Sequence, residues 1–204
     1  MKHEWAAVAL AAGLLAGCAG VTSGVSAVGR PDAFASSGHG YGFVRSAAQA
    51  DDAEYKQIES LVRDELARSG FDAQAPERAR YRLSIAYATQ PAAVAASAEQ
   101  CGGASSACVM VDGPAPFGLP FAGTVYRHVL TLRFVDAKSG ADVYRVSAAL
   151  RDREPGTGHA APVLVKSALA KLPFEAGEGW LVKTKKDDAG GMPGVVSVKP
   201  AAAR

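Results

Sequence analysis

The 204-residue sequence is poor in aromatic residues, which make up 7% of the chain, and it contains three cysteines. It has no hydrophobic run near the roughly 20 residues that a helix needs to cross a bilayer. The formal net charge is +2, and this balance argues against nucleic-acid binding, which requires a strongly basic surface. We therefore expect one domain with a modest core and no nucleic-acid partner.

The motifs that mark common catalytic and cofactor sites are also missing. The sequence has no G-x-S-x-G nucleophile elbow, no phosphate-binding loop and no H-E-x-x-H zinc motif. The histidines beyond the first residues, His39, His128 and His159, are spread over three predicted elements, as surface or capping histidines usually are. The sequence therefore predicts no enzyme, no metal site and no cofactor.

What the sequence does have is an export signal at its start. Lys2 lies in a short polar stretch, an apolar run of about twelve residues follows, and the run ends in Leu15-Ala16-Gly17-Cys18. This tetrapeptide resembles the lipobox of bacterial lipoproteins, in which an aliphatic residue and small residues precede a cysteine. The resemblance implies cleavage after Gly17 and lipidation of Cys18. The alternatives are an ordinary secretion signal with an incidental cysteine and a buried apolar helix.

The lipobox resemblance also implies a location. Lipid on Cys18 makes the membrane a partner of the protein, and two or three acyl chains give stable anchoring where one chain binds only marginally. Residue 19 is alanine, whereas an aspartate there favours retention in the inner membrane of enterobacteria. We therefore expect an outer-membrane lipoprotein whose domain faces the periplasm.

The other two cysteines, Cys101 and Cys108, are then free to pair. An exported chain meets an oxidising compartment, in which an even number of cysteines usually forms disulfides. A Cys101–Cys108 disulfide closes a short loop and stabilises the fold by roughly 2–2.5 kcal/mol in the chain-entropy model. The alternative is a metal-binding or redox pair, but C-x-x-C spacing and a nearby histidine are both missing.

Composition divides the chain into segments. Residues 1–17 are predicted to be the signal peptide and residues 18–31 a flexible tether. A single domain is expected over residues 32–184, interrupted by an insert at 89–123 that is rich in Ala, Ser, Gly and Pro. Residues 185–204 are predicted to be a disordered tail.

Hydrophobic periodicity predicts the elements of the domain. Asp51 and Asp52 give an N-cap signal for a first helix and Gly70 ends it, while Asp136 and Gly140 bound a hairpin turn. The predicted strand, helix, strand, strand, strand and helix lie at 41–45, 53–69, 81–88, 124–136, 143–150 and 161–172, with 180–182 as a candidate short last strand. The first three elements predict a βαβ unit with parallel strands. The expected fold class is α+β, a small sandwich with a mixed, mostly antiparallel sheet and two helices on one face.

Several of these segments resemble a family of small Gram-negative lipoproteins, the domain of unknown function 4136. They are ELARSGF at 65–71, VLTLRFVDAKSGADVYR at 129–145 and Lys-Leu-Pro at 171–173. The resemblance covers roughly residues 32–175 and implies an α+β envelope lipoprotein. Tyr144 stands where the family usually has a tryptophan, and the family supplies no catalytic residue to carry over.

The insert carries large apolar side chains among prolines and glycines, namely Val109, Met110, Phe117, Leu119 and Phe121. They either fold back over the sheet or form an exposed patch for a partner, and the disulfide would pre-order that patch. We expect a non-enzymatic envelope lipoprotein that binds an envelope protein or acts as a structural module through this insert.

The alternative function is a periplasmic hydrolase or small-ligand binder. It would use the open face of the sheet, with Tyr81, Tyr87 or His128 in a pocket. A deep cleft with converging polar groups on that face would support this function, and a flat face would argue against it.

Overall fold

The computed structural model describes residues 20–36, 39–92, 123–187 and 190–201. Within these ranges one mixed sheet of eight strands and four helical segments form, which confirms the predicted α+β class. The elements in chain order are β1 (Val21–Gly29), α1 (Pro31–Ser36), β2 (Gly40–Phe43), α2 (Ala47–Asp51), α3 (Ala53–Arg68), β3 (Asp72–Ala73), β4 (Tyr81–Pro91), β5 (Tyr126–Asp136), β6 (Asp142–Asp152), α4 (Thr157–Ala168), β7 (Gly179–Lys185) and β8 (Gly194–Pro200). None of these helices is long and apolar enough to cross a membrane.

The strands lie in the order β3-β2-β4-β5-β6-β1-β7-β8. β2 is parallel to β3 and to β4, and the other neighbouring strands are antiparallel. The predicted mixed, mostly antiparallel sheet is thus confirmed. The predicted six-element order is incomplete. It lacks the short β3 and also β7, which the sequence offers only as a candidate strand, and β1 and β8 come from segments that the sequence assigns to a tether and a tail.

The flexible tether predicted over residues 18–31 is wrong from Val21 onward. β1 lies inside the sheet and pairs with both β6 and β7. Its inward side chains are those of Ser23, Val25 and Ala27, which are small and therefore give a weak hydrophobic pattern. Pairing along both edges orders this strand, and local composition does not report such pairing.

The disordered tail predicted over residues 185–204 is wrong over Gly194–Pro200. β8 pairs with β7 as the last strand of the sheet, and most of its residues are exposed or half-buried. An edge strand needs little apolar surface, and a lysine such as Lys199 is typical of one because it discourages pairing with another chain.

The βαβ unit around α3 follows the sequence prediction. The Asp52 carboxylate accepts hydrogen bonds from the backbone N–H groups of Glu54 and Tyr55 at the start of the helix. Just beyond the end of the helix, Gly70 has a φ of 81°, a conformation that a residue without a Cβ adopts easily. β2 and β4, on either side of α3 in the sequence, are parallel as predicted.

One face of the sheet is covered and the other is open. Leu83 of β4, Leu132 of β5 and Val146 of β6 point to the covered face and are completely buried. α4 packs on β5, β6 and β1, and α3 packs beside α4. α1 adds the buried Phe34, whose ring stacks on Tyr144 at 4.8 Å between centroids. The prediction of two helices on one face is therefore wrong in omitting α1.

The last helix begins at Thr157, before the predicted residue 161, and contains Pro162. Proline has no backbone N–H, so the carbonyl of Gly158 receives no helical hydrogen bond from residue 162. The predicted start at residue 161 lies just before this proline and therefore leaves His159 outside the helix.

Candidate functional site

Two histidines and one aspartate meet at one end of the covered face. His128 lies near the start of β5, Asp152 is the last residue of β6, and His159 lies in the first turn of α4. The alternation that buries Leu130 turns His128 to the same face. His128 pairs with Leu150 across the sheet, so the strand register brings Asp152 close to it.

Both ring nitrogens of the completely buried His128 have partners. Nε2 lies 2.9 Å from the backbone oxygen of Glu154 and 3.2 Å from Oδ1 of Asp152. Since both of these atoms are acceptors, Nε2 carries a hydrogen. In the neutral imidazole, Nδ1 is then the acceptor for the hydroxyl of Tyr87 at 3.0 Å or of Thr89 at 2.9 Å. This network satisfies an imidazole that would otherwise be costly to bury.

Asp152 connects the buried histidine to the surface one. Its Oδ2 accepts a hydrogen bond from Nε2 of His159 at 2.7 Å, and its Oδ1 accepts one from the backbone N–H of Glu154 at 2.9 Å. Partial burial raises the pKa of Asp152, but the hydrogen bonds from His159, Glu154 and His128 outweigh burial and lower the pKa below its ordinary value. The carboxylate is therefore ionised at neutral pH.

A cavity of about 600 Å³ opens beside the cluster. Asp152 and His159 form one part of its wall, and Val21, Val163 and Lys186 form others. The cavity therefore combines four ionisable side chains, those of Arg151, Asp152, His159 and Lys186, with a mainly apolar lining, which is the usual construction of a small-ligand site.

The cluster can offer donor atoms to a cation. One atom from each of His128, Asp152 and His159 lies within 4.8 Å of the others.

Thr89, His128 and Asp152 also have the hydroxyl–imidazole–carboxylate connectivity of hydrolytic triads. However, the single hydrogen of the Thr89 hydroxyl is donated to the Tyr87 hydroxyl at 3.3 Å, and the imidazole N–H also faces the Glu154 carbonyl. The hydroxyl and the imidazole are thus both engaged elsewhere, unlike those of a poised nucleophile and base.

The predicted lipidation and disulfide residues, Cys18, Cys101 and Cys108, lie outside the described residues. The apolar residues of the insert also lie outside them, namely Val109, Met110, Phe117, Leu119 and Phe121. The structure does describe both ends of the insert. There the N–H of Ala92 donates to the carbonyl of Val125 at 2.7 Å and extends the pairing of β4 with β5.

The open-face site predicted around Tyr81, Tyr87 or His128 is wrong in its location. These side chains belong to the covered face, where Tyr81 and His128 are completely buried and Tyr87 is half-buried. On the open face, the hydroxyls of Thr131 and Ser147 are bonded to each other at 2.9 Å. The depression on that face that is lined by Ser147 has a volume of only about 300 Å³ and is shallow.

The expectation that the histidines are surface or capping residues is wrong for His128, which is completely buried. His128 and His159 approach each other with ring centroids 5.3 Å apart, whereas His39 lies against Phe71 with centroids 4.7 Å apart. The alternation of β5 and the register of the β5–β6 hairpin were visible signals for Asp152 beside His128. The placement of His159 was not, because it depends on how the chain turns from β6 into α4.

The chain is similar to a described family and to solved structures. A family model with the description "Domain of unknown function (DUF4136)" matches residues 29–174. The PelC dodecamer from Paraburkholderia phytofirmans is 15% identical, with a TM-score of 0.43, over 75% of this chain and 99% of that chain. A PDZ domain protein from Parabacteroides distasonis is 14% identical, with a TM-score of 0.47, over 81% of this chain and 40% of that chain. No curated protein matches.

Proposed function

Since this chain belongs to the DUF4136 family through residues 29–174, and the family description gives no activity, we propose a function from the chain's own residues. The protein is an envelope lipoprotein that is anchored through lipid on Cys18 and faces the periplasm from the outer membrane. Its domain is a non-enzymatic binding or structural module that contacts an envelope partner through the insert, residues 89–123.

Cys18 lies very close to the sheet along the chain. Residues 19 and 20 alone separate it from Val21, the first residue of β1. At about 3.3 Å per extended residue, Val21 lies no more than about 10 Å from the lipidated cysteine. The start of β1 is therefore held at the membrane surface. This closeness is the observation that carries the proposal.

The end of the sheet that contains Val21 also contains both ends of the insert. β1 is antiparallel to β6, and β6 is antiparallel to β5, so the start of β1 lies at the same end as Asp152 and Tyr126. Pro91, at the end of β4, pairs with Tyr126. The insert therefore leaves and re-enters the domain at the end that faces the membrane.

An insert in this position meets partners that are themselves bound to the envelope. The side chains proposed for contact are Val109, Met110, Phe117, Leu119 and Phe121. A disulfide between Cys101 and Cys108 would restrict the segment just before these residues and reduce the conformational entropy that is lost on binding.

Site-specific photo-crosslinking in intact cells tests the partner. A photoreactive amino acid at Phe117 or Phe121 of the lipidated protein should give a discrete crosslinked product. The matched control carries the same amino acid at Lys138, an exposed residue in the turn between β5 and β6 at the opposite end of the sheet.

A product from Phe117 or Phe121 that is absent from Lys138 supports the proposal. Equal products from all three positions would show random collision with neighbours and contradict it. The absence of any product, together with protection of Phe117 and Phe121 from solvent labelling, would mean that the insert packs on its own domain, and it would also contradict the proposal.

A further inference from the structure

We propose that His128, Asp152 and His159 bind one divalent transition-metal ion of the Zn²⁺ class. The three side chains come from β5, β6 and α4. A bound ion would therefore tie the last helix to the sheet at the end where the insert leaves the domain.

The donor set distinguishes among cations. Mg²⁺ and Ca²⁺ prefer oxygen ligands, whereas imidazole nitrogens suit Zn²⁺, Cu²⁺, Ni²⁺ and iron. Two imidazoles and one carboxylate are also a recurrent set of protein ligands for zinc, with a fourth position left for water or another group. The cluster of His128, Asp152 and His159 supplies this set.

Two donor pairs lie near the separations of a tetrahedral site, with a different oxygen of Asp152 in each pair, and one donor atom from each of the three residues lies within 4.8 Å of the others. Bonds of about 2.0–2.1 Å at tetrahedral angles place neighbouring donors about 3.3 Å apart. Nε2 of His128 lies 3.2 Å from Oδ1 of Asp152, and Nε2 of His159 lies 2.7 Å from Oδ2 of Asp152. The His159 side chain is 32% exposed, so it has room for the small outward movement that an ion requires.

The surroundings of His128 allow the necessary change of tautomer. Nε2 must give up its hydrogen to bind a metal, and Nδ1 must then carry one. The hydroxyl oxygens of Tyr87 and Thr89 lie 3.0 and 2.9 Å from Nδ1, and a hydroxyl can accept a hydrogen bond as well as donate one. Metal-bound histidines almost always donate their other N–H to an oxygen acceptor, usually a carboxylate, a backbone carbonyl or water, and a hydroxyl oxygen would take that place here.

Glu154 supplies further donors, and the cavity gives access. The backbone oxygen of Glu154 lies 2.9 Å from Nε2 of His128, and its Oε2 lies 3.4 Å from Nδ1 of His159. The cavity of about 600 Å³ reaches both Asp152 and His159. An ion can enter from there, and a water or a small anion can occupy a remaining position.

Titration of the purified full chain tests the site. The protein is stripped of metal with a chelator and titrated with Zn²⁺ in a calorimeter, and its Tm is measured with and without Zn²⁺. We expect one high-affinity ion per chain and a higher Tm, because an ion that binds only the folded state stabilises it.

Thr89→Val should weaken Zn²⁺ binding by about 10–100-fold through the loss of support for His128. His159→Gln removes a ligand and should weaken it further.

Two controls separate this site from other donors in the chain. His39→Gln changes a histidine that lies against Phe71, and it should leave the affinity for Zn²⁺ unchanged. Co²⁺ in place of Zn²⁺ reports the ligand type, since cysteine thiolates give intense near-ultraviolet charge-transfer bands. We expect visible d–d bands without charge-transfer bands.

One bound ion that is weakened by His159→Gln and kept by His39→Gln supports the proposal. Zn²⁺ binding that His159→Gln leaves unchanged, or a Co²⁺ spectrum with thiolate bands, would place the ion elsewhere and overturn it. The absence of one-to-one binding in the folded wild-type chain would also overturn it, because the three side chains would then form only a hydrogen-bonded cluster.

Discussion

Lys166 in α4 donates a hydrogen bond to the carboxylate of Glu65 in α3, with 2.5 Å between Nζ and Oε1. The Glu65 side chain is almost wholly buried, and it also accepts a hydrogen bond from Arg68 at 2.7 Å. The two long helices are thus joined through a buried carboxylate that has a cation on each side.

Lys166→Met should lower the free energy of unfolding by about 1–3 kcal/mol, because it leaves Glu65 buried with one cation fewer. We expect less than the roughly 3–5 kcal/mol of a fully buried pair, because Arg68 remains and the Lys166 side chain is 20% exposed. Urea denaturation measures the loss. Lys56→Met, an exposed change in α3, is the control and should stay within about 0.5 kcal/mol of wild type. Equal losses in both variants would argue against a role for the ion pair.

Asp52→Ala should cost about 1 kcal/mol of unfolding free energy, because the Asp52 carboxylate accepts the otherwise unpaired N–H groups of Glu54 and Tyr55. Asp51→Ala is the matched control, since Asp51 is exposed and ends the preceding helix α2. Chemical denaturation measures the free energy of unfolding of both variants. If Asp51→Ala destabilises as much as Asp52→Ala, net charge and not the cap is responsible.

Gly29→Ala should destabilise the protein by about 2–3 kcal/mol or more through backbone strain. Gly29 has a φ of 122°, and an added Cβ would lie 2.3 Å from the carbonyl oxygen of Val143. Gly24→Ala, in the same strand, is the control because its Cβ would meet nothing within 4 Å. The Tm values of the two variants should differ clearly. Two similar values would mean that β1 is not fixed in the sheet.

The contribution of Asp136 to stability should depend on pH. Hydrogen bonds from the N–H groups of Ser139 and then Lys138, aided by Arg80, outweigh burial and hold the pKa of Asp136 below its ordinary value of 3.8. A lowered folded-state pKa adds stability above the unfolded pKa, and this stability is lost as the pH falls through the folded pKa.

Asp136→Asn removes that titration and keeps an acceptor oxygen for the turn. The wild-type chain should therefore be more stable than this variant at pH 6, and the difference in Tm should shrink as the pH falls below about 4. Thermal unfolding across this range measures it, with Asp51→Asn as the exposed control. A difference for Asp136→Asn that is constant down to pH 2 would show that its carboxylate has no lowered pKa.

Local signals explain which parts of the fold the sequence could predict. Asp52 and Gly70 bound α3 through a cap and a positive φ, and Asp136 and Gly140 bound the hairpin turn, so these elements were predictable from neighbouring residues alone. β1 was not predictable, because its inward side chains, those of Ser23, Val25 and Ala27, are too small and too weakly apolar to give the alternating pattern of a strand. Its order comes from β6 and β7, which lie more than a hundred residues away along the chain.

The candidate site was also only partly predictable from the sequence. His128 was predictable as an inward residue from the alternation of β5, and hairpin pairing could have placed Asp152 near it. His159 depends on the direction in which the chain leaves β6, and Pro162 obscured the true start of α4. A cluster that is assembled from three elements therefore appears only when the strand register and the helix position are both known.

The central claim is that Cys18 holds this domain at the membrane, and metabolic labelling with radioactive palmitate tests it most directly. Wild-type protein and a Cys101→Ser control should incorporate the label and sediment with membranes. Cys18→Ser should incorporate no label and should be released from membranes. Persistence of both palmitate labelling and membrane retention in Cys18→Ser would contradict the claim.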